Sequence, residues 1–314
     1  MNITSTMRSL GDPLFEPLPF SNSQKLNDVD LCNWIVEKSF CSKVVFCPGL
    51  GWQSWNGTHW EDNPHQEIRA RVSDFLKTAE ASARLNNRDP SFADTLSSKM
   101  SAGRLKSIMG QLESSAFVRQ DFFSPPSHLL NVRNGVVNLT TGQIGLHDPQ
   151  LGFRQVTSGS YIPGYENPDW NAALGALSGE MTEWLQFAVG QGITGTSPLD
   201  DRANFLIGER AGNGKSTVVM AMDEAFGGFA KLVSARVLVT GANDHPTEQM
   251  QLFGARIAIV EELPQRLISS KHLKDLTGRK MVARKIRQDN IEWNATHSVF
   301  ITSNHPVEID SLDN

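Results

Sequence analysis

Between residues 65 and 115, apolar residues recur every three or four positions, in HQEIRARVSDFLKTAEASARL and FADTLSSKMSAGRLKSIMGQLES, and this spacing predicts helices. Before them, VVFCPGLGWQSWNGTHWED breaks into short apolar runs around Pro48-Gly49 and Asn56-Gly57, the mark of hairpins. After them, HLLNVRNGVVNLTTGQIGLHDP reads as strand–turn–strand, with turns at Asn134-Gly135 and Thr141-Gly142. SGSYIPGYENPDW is rich in Gly, Pro, Ser and Asn and reads as a linker, and a helical region runs from Trp170 through MTEWLQFAVGQGITG. The last third differs. Three apolar runs, NFLI, Ile257 to Val260 and SVFI, each give way to a loop, to acids or to small polar residues. Unbroken apolar runs suit strands buried on both faces, so a parallel α/β sheet with its ligand at the carboxyl ends of the strands is expected.

This pattern divides the chain into a polar, disordered tail (1–30), a smaller α+β domain (31–156), a linker with a helical collar-like segment (157–200) and an α/β domain (201–314). No apolar run reaches the roughly 18 residues of a membrane helix, and the start of the chain lacks the basic-then-apolar pattern of a signal peptide. No membrane partner and a cytoplasmic location are expected. The three cysteines (Cys32, Cys41, Cys47) form no Cys-x-x-Cys pair, which argues against a zinc site or a disulfide framework. Trp52, Trp55 and Trp60 lie close together in the hairpin region. Packing into the core of a small sheet is the simpler expectation; stacking on nucleic-acid bases is the alternative.

The stretch FLIGERAGNGKST carries the first candidate chemistry. A strand, a small-residue loop and a helix from Lys215 to Gly227-Gly228 are the context of a phosphate-binding loop. Backbone N–H groups and the helix N-terminus can cradle phosphate, with Gly208, Gly212, Asn213, Gly214, Lys215, Ser216 and Thr217 as the nucleotide-binding set. Lys215 can reach the β- and γ-phosphates, and the Ser216 hydroxyl can ligate Mg²⁺. The pattern G-x-x-x-x-G-K-[ST] would put its first glycine at position 209, which is Glu209; the glycine is one earlier, at Gly208. A carboxylate is expected on the neighbouring strand, and ARIAIVEELP supplies Glu261 and Glu262. Glu261 is assigned to the Mg²⁺ shell and Glu262 to the attacking water. Asn304, at the tip of SVFITSN, can hydrogen-bond the γ-phosphate or that water.

Net charge modifies this picture only locally. The chain carries −5 overall, which argues against nucleic acid, yet residues 271–287 hold seven basic side chains and a single acid, Asp275. KMVARKIR, QDN and IEWNA read as a hairpin, and the basic excess is the footprint of a phosphate backbone, with Lys280, Arg284, Lys285 and Arg287 as DNA contacts. A solvated helix face followed by an exposed hairpin is the alternative.

With these residues in hand, roughly residues 40–314 resemble the phage and plasmid primase–helicase family, related to poxvirus primase–helicases, whose motor is a superfamily-3 helicase. GERAGNGKST resembles its phosphate loop, shifted glycine included, IAIVEELP its acidic strand, FITSN its third motif and LKDLTGRKMVARKIR its DNA-contacting hairpin. LLNVRNGVVNLTTG and GWQSWNGTHW resemble the domain before the motor, and the details look closest to actinobacterial phages. The resemblance implies a P-loop NTPase motor of AAA+ type, using ATP and Mg²⁺ to move along single-stranded DNA, as a hexameric ring in a phage-infected bacterial cytoplasm. No primase catalytic domain precedes residue 31, so primer synthesis is expected on a separate chain. The family's arginine finger follows the third motif, and the sequence runs only ten residues past Asn304, so the finger and part of the motor are expected to be missing. Two other classes remain open: an ATP-switched DNA-binding assembly protein, and a small-molecule P-loop kinase.

Overall fold

The Asn27 side chain accepts the N–H of Asp30 and so caps α1 (Asp28–Ile35), whose first turn holds Asp28 and Asp30 where the helix dipole favours them. The structure, a computed structural model, describes residues 26–85, 90–196, 200–208, 214–239, 249–265, 267–286 and 288–310. The expected tail therefore lies outside the described residues up to 25, and its last residues lead into a helix instead. The chain divides into two units, one built from the chain up to Trp55 and Glu61–Arg119, the other from Asn56–Trp60 and the chain from Gln120 onward.

In the first unit, the 3.6-residue periodicity produces α2 (His65–Leu85), α3 (Pro90–Lys99) and α4 (Ala102–Ser115). Their apolar faces pack with α1 around Leu31, Ile35, Ile68, Leu76, Ile108 and Leu112. The glycine turns yield β1 (Val44–Cys47), β2 (Gly51–Trp55) and β3 (Trp60–Asp62), in the order β1-β2-β3. Trp52 belongs to this core, edge-on to Phe40 and Phe46. Trp60 is 1% exposed in the second unit, where its Nε1 donates to the Pro149 carbonyl at 2.9 Å. Two of the three tryptophans are thus structural, and Trp55 is half-buried. The three cysteines are free, and burial pushes the Cys32 thiol up to about 12, which leaves it inert.

The second unit opens with a small antiparallel sheet of β4 (Leu129–Val132), β5 (Gly135–Asn138) and β6 (Ile144–Gly145). It packs on Phe153 and Phe229. Gly152 turns the chain after this sheet at φ +66°, and an added Cβ would lie 1.8 Å from the Phe122 carbonyl oxygen. Gly152→Ala therefore meets both a left-handed backbone and a backbone clash, and should lose about 2 kcal/mol or more of stability. A urea melt within about 0.5 kcal/mol of wild type would contradict that close approach.

Four strands form the main sheet: β7 (Ala203–Ile207), β8 (Ala230–Val233), β9 (Ile257–Val260) and β12 (Ser298–Ser303). All pair in parallel, in the order β7-β12-β9-β8. β9 and β12 are buried at every position, as their unbroken apolar runs require. α5 (Pro168–Gly175), α6 (Gly179–Ile193) and α7 (Lys215–Phe226) share a core with the sheet, joining Leu174, Leu185, Val219 and Met222 to Ile257, Ile259 and Phe300. Beyond β9, α8 (Ser270–Thr277) leads into the hairpin β10 (Lys280–Ala283) and β11 (Ile291–Asn294). The fold is thus α/β, a parallel four-stranded sheet with small antiparallel sheets beside it. Among the described residues no helix is long and apolar enough to cross a membrane.

At the amino end of β9, Arg256 is 4% exposed. Its guanidinium donates to the Ile193 and Leu129 carbonyls and lies 5.0 Å over the Phe229 ring. Burial pushes it down to about 10. It binds the end of α6 and the small sheet to β9, at the end of the strand away from the acids.

Candidate functional site

Sheet order decides what the sequence-predicted residues can do together. The acidic strand was expected next to the phosphate-loop strand. Instead β12 lies between them, hydrogen-bonded to β7 on one side and β9 on the other. Ser303 is in register with Ile207, and Ile301 with Val260. β7 and β12 therefore end level, with β9 ending two residues earlier, and the Gly208 N–H donates to the Ser303 carbonyl at 3.2 Å. Adjacent strands lie about 4.8 Å apart, so the phosphate-loop strand and the acidic strand end about 10 Å from each other, with Asn304 standing between.

On the β7 side, Gly208 follows the strand and Gly214 caps α7 at φ +85°, a left-handed position that glycine adopts without strain. Gly212 and Asn213 lie outside the described residues. Lys215 is the first residue of α7, and its Nζ donates to the Gly208 carbonyl at 2.9 Å, drawing the helix start against the strand end. Ser216 and Thr217 are exposed in the first helical turn, where backbone N–H groups have no partner within the helix. Aligned peptide dipoles make this end of the helix attractive to anions.

On the β9 side, Glu261 and Glu262 follow the strand directly and are both exposed. Glu262 has φ +50°, left-handed backbone that a long side chain rarely adopts. Two contacts from β12 hold it. The Glu262 N–H donates to Thr302 Oγ1 at 3.0 Å, and the Leu263 N–H donates to the Thr302 carbonyl at 3.0 Å. In the middle, Ser303 Oγ donates to the His305 carbonyl at 2.7 Å and accepts the His305 N–H at 3.1 Å. This closes a tight turn with the exposed Asn304 at its corner. The sequence marks Thr302 and Ser303, with Asn304, as the polar tip of the third strand, but it assigns a role only to Asn304.

The predicted hairpin is present, with Met281 opposite Trp293 and Val282 opposite Glu292. Met281, Ala283, Ile291 and Trp293 form its buried side, while Lys280 and Val282 face outward. Lys280 pairs with Glu292 at 2.6 Å, and this contact raises its pKa. Its charge is therefore compensated locally. Arg284 is exposed, Lys285 half-buried and Ile286 78% exposed toward the end of the hairpin, and Arg287 lies outside the described residues. β11 runs into β12 through only Ala295, Thr296 and His297, so hairpin and central strand are nearly continuous. His297 is buried and donates from Nε2 to the Leu276 carbonyl at 2.9 Å, and its burial lowers its pKa.

Ser216, Glu261, Glu262 and Asn304 supply oxygen donors and Lys215 a cation. That set fits a phosphorylated ligand with a hard divalent ion such as Mg²⁺.

Residues 34–189 match a family model described as D5 N terminal like, and residues 206–314 match a family of unknown function (DUF5906). No curated protein matches. Among solved structures, the apo structure of NrS-1 C terminal region (305-718) aligns with a TM-score of 0.52 and 12% identity, covering 92% of this chain and 61% of that one. The A form apo structure of NrS-1 C terminal region-CTR aligns with a TM-score of 0.50 and 12% identity, covering 91% and 59%. At that identity the likeness is one of fold. The chain spans about three-fifths of the solved chains it matches.

Proposed function

We propose that this protein is an ATP-dependent motor subunit acting on single-stranded DNA, a helicase or translocase of the superfamily-3 type. The observation that carries this is the interposed strand: β12, which Asn304 follows directly, lies between β7, which leads to the candidate phosphate loop, and β9, which leads to Glu261 and Glu262. The D5 N terminal like match supports it, because the motifs of the sequence resemble poxvirus-type primase–helicases. The reading carries with it a ring of six copies with ATP between subunits.

In this reading the α7 N-terminus and Lys215 bind the β- and γ-phosphates, with Gly208, Gly212, Asn213, Gly214 and Thr217 shaping the loop. Ser216 and Glu261 would hold the magnesium ion. Magnesium supplies charge neutralisation at the phosphate oxygens when bound. Glu262 orients a water and accepts its proton as the water attacks the γ-phosphorus, while the bond from that phosphorus to the bridging β–γ oxygen breaks and ADP leaves. Asn304 senses whether that phosphoryl group is present. The short β11–β12 connection then transmits a shift of the central strand to the hairpin.

The hairpin is the proposed DNA contact, through Arg284, Lys285 and Arg287, with less from the paired Lys280. The exposed Ile286 suits packing against unstacked bases. Arg284→Ala with Lys285→Ala removes two phosphate contacts and should lower the log–log salt slope of single-strand binding by about 1.4. Lys280→Ala removes one basic side chain of the same hairpin and should lower the slope by at most about 0.7. Titration of a labelled oligonucleotide at several salt concentrations measures both. An unchanged slope in the double variant would put the DNA path elsewhere on the molecule.

A further inference from the structure

We infer that Thr302 is a positioning residue for Glu262, holding the backbone of the water-activating carboxylate in a conformation it would not adopt alone; this rests on the hydrolytic reading above. Glu262 carries φ +50°, in a region that a residue with a long side chain rarely adopts. Such a conformation persists only where its surroundings over-determine it. Here two hydrogen bonds to Thr302 hold the segment, one to its side chain and one to its carbonyl. Thr302 Oγ1 accepts the Glu262 N–H and Thr302 O accepts the Leu263 N–H, both at 3.0 Å. Thr302 is 7% exposed, so neither bond competes freely with water.

The strand ladder alone accounts for only the second bond. The first depends on a hydroxyl at position 302, which valine would match in shape without accepting a hydrogen bond. Thr302 also lies two residues before Asn304, which follows the end of the same strand directly. The residue next to the γ-phosphate and the anchor of the carboxylate therefore move together. Displacing a general base by about 1 Å can cost 10²-fold in rate while binding is untouched.

The test uses the full chain with Thr302→Val and Thr302→Ser. For Thr302→Val, kcat for ATP should fall about ten- to a hundredfold. Affinity for Mg-ADP should stay within about twofold, because the phosphate loop is untouched, and Thr302→Ser should recover most of kcat. A readout independent of turnover is amide exchange at Glu262. It should speed up about tenfold in the valine variant and stay slow in the serine variant, as expected for loss of one hydrogen bond. Wild-type turnover with an unaffected Thr302→Val, or unchanged exchange at Glu262, overturns the positioning role alone. Absence of any ATP turnover by the wild-type chain overturns the hydrolytic reading beneath it.

Discussion

Lys215→Ala should weaken Mg-ATP binding by about two orders of magnitude, the value of one strong charge-assisted contact of about 2–3 kcal/mol. The ammonium rests on a neutral carbonyl, Gly208 O, at 2.9 Å. A phosphate is a far stronger partner for an ammonium than a neutral carbonyl is. The alanine variant also loses that carbonyl contact, so its melting temperature should be recorded alongside. A folded variant that binds nucleotide with near-normal affinity would remove the phosphate loop from its assigned role. Titration with a fluorescent ATP analogue, followed by displacement with ADP, gives the number.

Glu262→Gln should leave nucleotide binding intact and reduce turnover by about 10²–10⁴, the usual contribution of a general base. The amide keeps the length and the backbone φ of the glutamate but cannot accept the proton. Glu261→Gln should act differently: losing a metal ligand weakens the dependence on Mg²⁺ and lowers affinity for the Mg-nucleotide complex. The two neighbours are thus separable by which quantity moves, kcat for one and the magnesium midpoint for the other. The opposite pattern reverses the two roles. The backbone supports the first assignment, because the strained φ and its two contacts from Thr302 belong to Glu262 and its following peptide.

Much of the element order could be read directly from apolar spacing. The helices between 65 and 115, the glycine turns and the strands ahead of Gly208, Glu261 and Asn304 follow from local chemistry, and local chemistry is written in order along the chain. Strand neighbours are not. β7 and β12 are nearly a hundred residues apart, and nothing in either run says that they pair. The acidic strand was therefore expected one position too close. β8 was missed because AKLV is short and half-exposed, following two glycines. α1 carried a legible cap, Asn27 with Asp28 and Asp30, inside a stretch dominated by polar residues.

At the site, residue identity was legible but conformation was not. Glycine and asparagine announce left-handed backbone; a glutamate does not, so φ +50° at Glu262 was invisible. The compensation of Lys280 by Glu292 was equally hidden, because the two residues are twelve positions apart and meet only through the hairpin register. A count of basic residues overstates the free charge of the hairpin for that reason.

Steady-state ATP hydrolysis by the full chain, with and without single-stranded DNA, bears most directly on whether this site is a motor. The ratio of the two rates decides, not the absolute rate. A translocase predicts turnover that rises saturably with single-stranded DNA and loses that rise when Arg284 and Lys285 are replaced. Hydrolysis indifferent to DNA, or ATP consumption that instead requires a small-molecule phosphate acceptor, would contradict it.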